Sequence, residues 1–438
     1  PPRLLRRQRQ MCIRDRATAD PPPPTLESTR DALVASAQLR AAGHAQPSDE
    51  LALFAALPES LVDAAAEAVL LNGVDSLWRH GWQPAEVVRQ GRRGTATAAG
   101  GRLVALAVAS DDAGRRADTL HQRWMAQVQE LDLPAANGAP GWIRWWNRTE
   151  GLDRIVAADT VLDALATLFR LPPIDVLIPP PGADGSPSRS DAAAWSALMP
   201  DERGADGRVD PVLERIRGLL AKAESTTFEA EATALTAKAQ ELMTRHAIDA
   251  ALLQGRSGRA GDQPIMVRLP IDAPYIDAKC LLLQTVAGAG RCQAVAMTHL
   301  GMSTVVGFAD DVAAVELLFT SLLLQAQTAL EEAARLAPAG TRVRTQSYRS
   351  AFLQAYTGRI GERLEEINAV VFAEADPDEA QAFLPVLRSR REQVDEVMAE
   401  RFADLITSRV RGGYDAAGWA SGSVAGDNAR LDSGELAG

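Results

Sequence analysis

Between Pro211 and Leu253 the apolar side chains recur at helical spacing, break once, and recur again, and this restricts the fold more tightly than any other stretch. Val212, Leu213, Ile216, Leu219 and Leu220 share one face of a helix that opens on Asp210-Pro211 and reaches Glu224. Ser225-Thr226-Thr227-Phe228-Glu229 then supplies a break and a capping box, with Thr226 as cap and Glu229 reaching back to it. Phe228, Ala232, Leu235, Ala239, Leu242 and Met243 make a second stripe. Two short amphipathic helices joined by so tight a turn bury their stripes by packing antiparallel. The spacing therefore predicts an αα-hairpin over residues 209–254.

Arg6 to Arg16 (RRQRQMCIRDR) matches the translation of a sequencing-library adapter, so residues 1–16 read as carrying no fold information. With the polar run that follows, including Pro21 to Pro24, residues 1–30 read as adapter-derived and disordered. Residues 31–172 read as a helical, tryptophan-rich domain, with helices near Leu51–Leu57, Leu61–Leu71, Ala85–Gln90, Leu103–Ser110, Leu120–Leu131 and Val156–Leu171. Pro84 suits a first helical turn, and Gly73 and Gly91 read as stops. Trp78, Trp82, Trp124, Trp142, Trp145 and Trp146 fall in this domain, where a packed core is favoured over a stacking platform for bases. Residues 173–208, rich in Pro, Gly, Ser and Asp, read as a linker.

Residues 264–411 mix two periods. Ile265, Val267, Leu269 and Ile271 alternate as a half-buried strand does, and Ile276–Ala287 reads as a helix. Cys292–Met297 and Thr304–Phe308 read as a β-hairpin. Asp310-Asp311 reads as the cap of a long helix through Leu336, and Ser347–Val371 and Arg391–Ile406 as further helices. The glycine-rich residues 412–438 read as a flexible tail. The fold class expected is mainly α, with a small α+β C-terminal domain.

The hairpin carries a resemblance. Ile216-Arg217-Gly218-Leu219-Leu220-Ala221-Lys222-Ala223, the Ser225-Thr226-Thr227 break and Ala237-Lys238-Ala239-Gln240-Glu241-Leu242-Met243 resemble the bacterial and phage family known as domain of unknown function 2786. The stretch with Tyr275, Cys292, Val305-Val306-Gly307-Phe308, Asp311 and Ser321-Leu322-Leu323 resembles the α/β region that usually follows it. Gly81-Trp82-Gln83-Pro84 resembles the N-terminal extension of longer members. The resemblance implies an architecture and brings no activity, cofactor or catalytic residue with it.

Charge and chemistry narrow the function classes. The chain carries a net charge of −11, and residues 1–16 hold six arginines against Asp15, which leaves −16 on the rest. Such a body repels phosphate backbones unless a local basic patch intervenes. The candidate patch is Arg342, Arg344, Arg349, Arg359 and Arg363, beside Tyr348 and Tyr356. Against it stands the spacing of Tyr348, Phe352, Tyr356, Ile360 and Leu364, which reads as a core-facing stripe. Cys280, Cys292, His299, Asp310 and Asp311 are the richest local set for a metal or hydrolytic site, but lack the close pairing of a metal motif. Cys280 and Cys292 are too few for a disulfide framework and suit a reducing compartment, here the cytoplasm. No apolar run of bilayer-spanning length is evident. The expectation is a non-enzymatic binding or regulatory module acting on a protein partner, with nucleic acid as an additional candidate and no cofactor. The alternative is a hydrolase or nucleic-acid-processing enzyme with a site near Cys292 to Asp311.

Overall fold

The computed structural model describes residues 23–44, 47–116, 120–131, 133–134, 139–181, 211–225, 238–247, 263–338, 341–403 and 415–429. It is mostly helical, with a small three-stranded antiparallel sheet in its C-terminal half, and divides into two units, Pro1–Ser186 and Pro187–Gly438.

The first unit contains α1 (Leu26–Ala41), α2 (Pro47–Ala56), α3 (Glu59–Arg79), α4 (Pro84–Gly94), α5 (Ala98–Ala113), α6 (Gln122–Glu130), α7 (Trp142–Glu150) and α8 (Arg154–Phe169). Its first helix begins inside the region expected to be disordered. Thr25 and Ser28 cap each other reciprocally there, and Leu33 and Ala37 are buried, so residues 25–41 form a capped, packed helix. Gly73 and Gly91 do not stop their helices. Gly73 lies against Leu168 and Phe169, and a Cβ at Gly91 would come within 2.7 Å of Val104, so that glycine permits α4 and α5 to pack closely. The expected linker also starts too early. The Ile174 amide donates to the His80 carbonyl at 3.0 Å, and Leu177 and Ile178 are buried, which fastens residues 173–178 to this unit; residues 182–208 lie outside the described residues.

The Gly81-Trp82-Gln83-Pro84 run has a local physical account. Gly81 has φ +87°, and a Cβ there would meet the backbone of Ile174 and Asp175. The buried Trp82 indole donates to the Pro172 carbonyl at 2.8 Å. Gln83 and Glu86 form a capping box around Pro84, and Gln127 donates to the Gln83 side chain. Farther along, the buried Glu67 carboxylate accepts from the Gly141 and Ile143 amides, closing the N-terminus of α7 with negative charge. Trp78 and Trp124 meet edge to face at 4.8 Å.

The second unit contains α9 (Pro211–Ser225), α10 (described over 238–247), β1 (Ile265–Pro270), α11 (Ile276–Ala289), β2 (Gln293–Met297), β3 (Met302–Gly307), α12 (Ala309–Leu336), α13 (Gln346–Glu374), α14 (Pro377–Arg401) and α15 (Ala416–Asp427). Leu213, Ile216 and Leu220 of α9 and Ala239 and Met243 of α10 are buried in one core with α11, α12, α13 and the sheet. The turn with its Thr226–Glu229 capping box lies outside the described residues. The strands are ordered β1-β3-β2, with Val267 opposite Val305 and Ala294 opposite Val305 on the other side. Side-chain alternation sends Ile265, Leu269 and Val305 to the main core, and Val295 and Val306 to a small second core with Val394 and Met398 of α14.

Three expectations are corrected in this unit. The helix expected from Arg391 begins at Pro377 and continues through Pro385, and buried Phe383 shares a small core with Val371 of α13. Asp310 and Asp311 do not cap α12: Phe308 is its N-cap residue and makes no side-chain cap bond, while Asp311 turns to Arg291. Residues 416–427 of the expected flexible tail form α15, packed on α13. By length and composition α12 could also cross a membrane, but its buried side chains, among them Val315, Leu318, Phe319 and Leu322, belong to the core of this unit.

Candidate functional site

Cys292 and Asp311, from the expected metal or hydrolytic set, do approach each other, and Arg291 explains how they are held. Arg291 follows α11 with φ +62° and donates to the Asp311 carboxylate at 2.6 Å, both side chains being largely buried. This ties the end of α11 to the first turn of α12. Cys292 is buried beside the pair, its thiol donating weakly to the Gly290 carbonyl at 3.5 Å. Burial, together with the charge of Asp311, pushes that thiol well above its ordinary range, so it stays protonated and a poor nucleophile. Burial likewise raises the Cys280 thiol to about 11. His299 is exposed in the turn between β2 and β3, at the far end of β2 from Cys292. Asp310 occupies the first turn of α12. The set therefore separates into an ion pair, two buried thiols and an exposed turn histidine. Among the described residues no three His, Cys, Asp or Glu side chains form a group able to hold a metal ion.

A small hollow beside this ion pair is lined by Gln240, Met243, Val286, Arg291, Asp311 and Leu318. Its polar wall continues into a buried network that the sequence did not reveal. Asn368 of α13 accepts from Gln240 at 3.1 Å and from Thr244 at 2.8 Å, and donates to the Ala289 carbonyl at 3.0 Å. One amide thus joins α10, α11 and α13. Arg245 reinforces the joint from outside by pairing with Glu241 and Glu374.

The five candidate arginines also separate. Arg342 and Arg344 are exposed before α13, and Arg349 reaches back to the Val343 carbonyl at 3.4 Å. Arg359 pairs with Glu362 and with Asp427, the latter at 2.5 Å. Arg363 is 4% exposed and donates to the carbonyls of Gly426, Asp427 and Ala429 at the end of α15. The last carbonyls of a helix have no intrahelical donor, and a buried cation here both bonds the end of α15 and suits the negative end of the helix dipole. The tyrosines beside these arginines belong to the core stripe, with Tyr348, Phe352, Tyr356, Ile360 and Leu364 all buried.

In the first unit one tryptophan departs from the other five. Trp78, Trp82, Trp124, Trp142 and Trp146 are buried, whereas Trp145 is 47% exposed. Arg144 and Arg148 are exposed on the same helix, one adjacent in sequence and one a helical turn away. The Arg144 guanidinium lies 3.5 Å from Asp63, whose carboxyl is raised above its usual range by burial and by the charge of Glu59. Gly141 and Gly151, both at positive φ, bracket this short helix. The clustered tryptophans were visible in the sequence, but the buried Glu67 that sets the start of α7, and so fixes which face is outward, was not.

Residues 212–250 match the model of a family described as protein of unknown function (DUF2786), a range that takes in most of α9 and the described part of α10. The chain thus contains a DUF2786 domain. No curated protein and no solved structure matches the chain.

Proposed function

We propose that this chain is a non-enzymatic binding module that acts through contact with a protein partner. The observation that carries the reading is the outward face of α7, where half-exposed Trp145 stands between exposed Arg144 and Arg148. Tryptophan and arginine are the side chains most enriched at the energetic centres of protein interfaces, because each combines a broad apolar surface with a polar group that specifies geometry. The raised thiols of Cys280 and Cys292 suit the same reading in a reducing compartment such as the cytoplasm, where they remain free. The test is affinity purification from source-cell lysate, with and without nuclease, comparing the native chain with Trp145→Ala/Arg148→Ala. The reading expects a nuclease-resistant partner that the double variant loses while keeping its melting temperature. Equal recovery by both proteins would remove its support.

A second reading, association with nucleic acid, is favoured by the exposed Arg342 and Arg344, which precede α13. Its test is electrophoretic retardation of single-stranded DNA or RNA that is lost in Arg342→Ala/Arg344→Ala and weakens with salt.

A further inference from the structure

α13 and α15 run side by side in a fixed register. A Cβ at Gly418 would land on the Tyr348 carbonyl oxygen, one at Gly422 on that of Phe352, and one at Gly426 within 2.5 Å of the Arg359 Cβ and 3.1 Å of the Tyr356 carbonyl. Both series ascend by one helical turn at a time, so the helices are parallel and their backbones touch along three turns. The contact has chemically distinct ends. At the start, the Asp415 side chain accepts from the Gly418 amide at 2.8 Å. At the finish, Arg359 holds Asp427 and Arg363 holds the terminal carbonyls. Few helices fit such a groove: it requires glycine at every fourth position and an acidic residue one place after the third glycine.

α15 also depends on the groove for its own structure. It has 12 residues, with glycine at three of them, and glycine is the weakest helix former after proline. A helix this short is marginal in water even with a favourable composition. Docking and helix formation are therefore one event, and undocking leaves α13 with an empty, cation-ended groove.

We propose that this groove is an exchangeable helix-docking site, filled in cis by α15 and open to α15 of a second copy of the chain. The second copy supplies the same three glycines, the same Asp427 and the same terminal carbonyls. Exchange therefore reproduces the described contacts between α15 and α13 and gives up the local concentration that connection in cis provides.

The experiment uses the full chain carrying Gly422→Leu, whose side chain cannot seat against Phe352, together with a fluorescent peptide of native residues 415–429. The peptide binds this variant saturably and binds the native chain at least tenfold more weakly. Binding is lost when the peptide carries Gly422→Leu or the receptor also carries Arg363→Ala. Absence of binding to a Gly422→Leu chain that still melts cooperatively overturns the proposal, as does equal binding to variant and native chains. Should Gly422→Leu fail to fold, hydrogen exchange on the native chain decides. α15 amides exchanging at least tenfold faster than those of α13 show separate undocking, and matched rates show that α15 leaves only when the whole unit unfolds, which overturns the proposal.

Discussion

α9 and α15 are both short helices of the second unit, with 15 and 12 residues, and they join its core by opposite means. α9 inserts side chains: Leu213, Ile216 and Leu220 are buried, while Gly218 is exposed with nothing near its missing Cβ. α15 withdraws them. Gly418, Gly422 and Gly426 are its buried positions, and their lack of side chains lets two backbones meet. Burial of a helix face thus has two sequence signatures, one rich in apolar side chains and one almost free of them, and a periodicity of hydrophobic residues reports only the first.

The largest effect that would sharpen this contrast is expected at Ile216, which is 0% exposed. Ile216→Ala is expected to cost about 2–5 kcal/mol of unfolding free energy in denaturant titration, from lost burial and the cavity left behind. Next comes Gly422→Ala. On propensity alone alanine would stabilise a helix, but the added methyl falls on the Phe352 carbonyl, so a loss of about 1–3 kcal/mol is expected. A stabilised Gly422→Ala protein would break the comparison, because it would mean that α15 is not held against α13. Gly218→Ala is the matched control and should carry the opposite sign, a gain of about 0.5–1 kcal/mol read as a higher melting temperature.

The smallest expected effect tests whether the same reasoning extends to the first unit. His121 is the N-cap residue of α6, and its Nδ1 accepts from the Arg123 amide at 3.2 Å, which requires that nitrogen to be unprotonated. Burial lowers its folded-state pKa, with the charge of Arg123 adding to the effect. The unfolded chain therefore takes up the proton first. Stability from this group is complete above the ordinary histidine value of about 6.5 and is lost as pH falls below it toward the folded value. Melting temperatures of the native chain should accordingly decline over that interval more steeply than those of His121→Asn, which keeps a capping side chain and has nothing to titrate there.

The same distinction explains how much could be read from the sequence. The α9 stripe, the alternation from Ile265 to Leu269 and the core-facing series Tyr348 to Leu364 were all legible, because each is a row of apolar residues whose period matches its element. Gly73, Gly91 and the glycines of α15 were misread as stops or as slack, since glycine gives the same local signal whether it ends a helix or lets another approach. Asp310-Asp311 looked like a cap because acidic residues at a helix start usually serve that end, yet Asp311 faces a cation from another element. The arginine group was legible as a run of charge. That Arg363 would be spent on the end of α15 depended on residues more than sixty positions away.

By itself the sequence determined the helical class of the chain, the buried stripe of α9 within the family match and the strand pattern beside it, because periodic burial is a property of neighbouring residues. Only the tertiary structure decided which glycines are contact surfaces, which arginines remain at the surface and which of the clustered tryptophans faces outward. Those outcomes are set by what a distant segment places against each residue, and no local spacing encodes the identity of that segment.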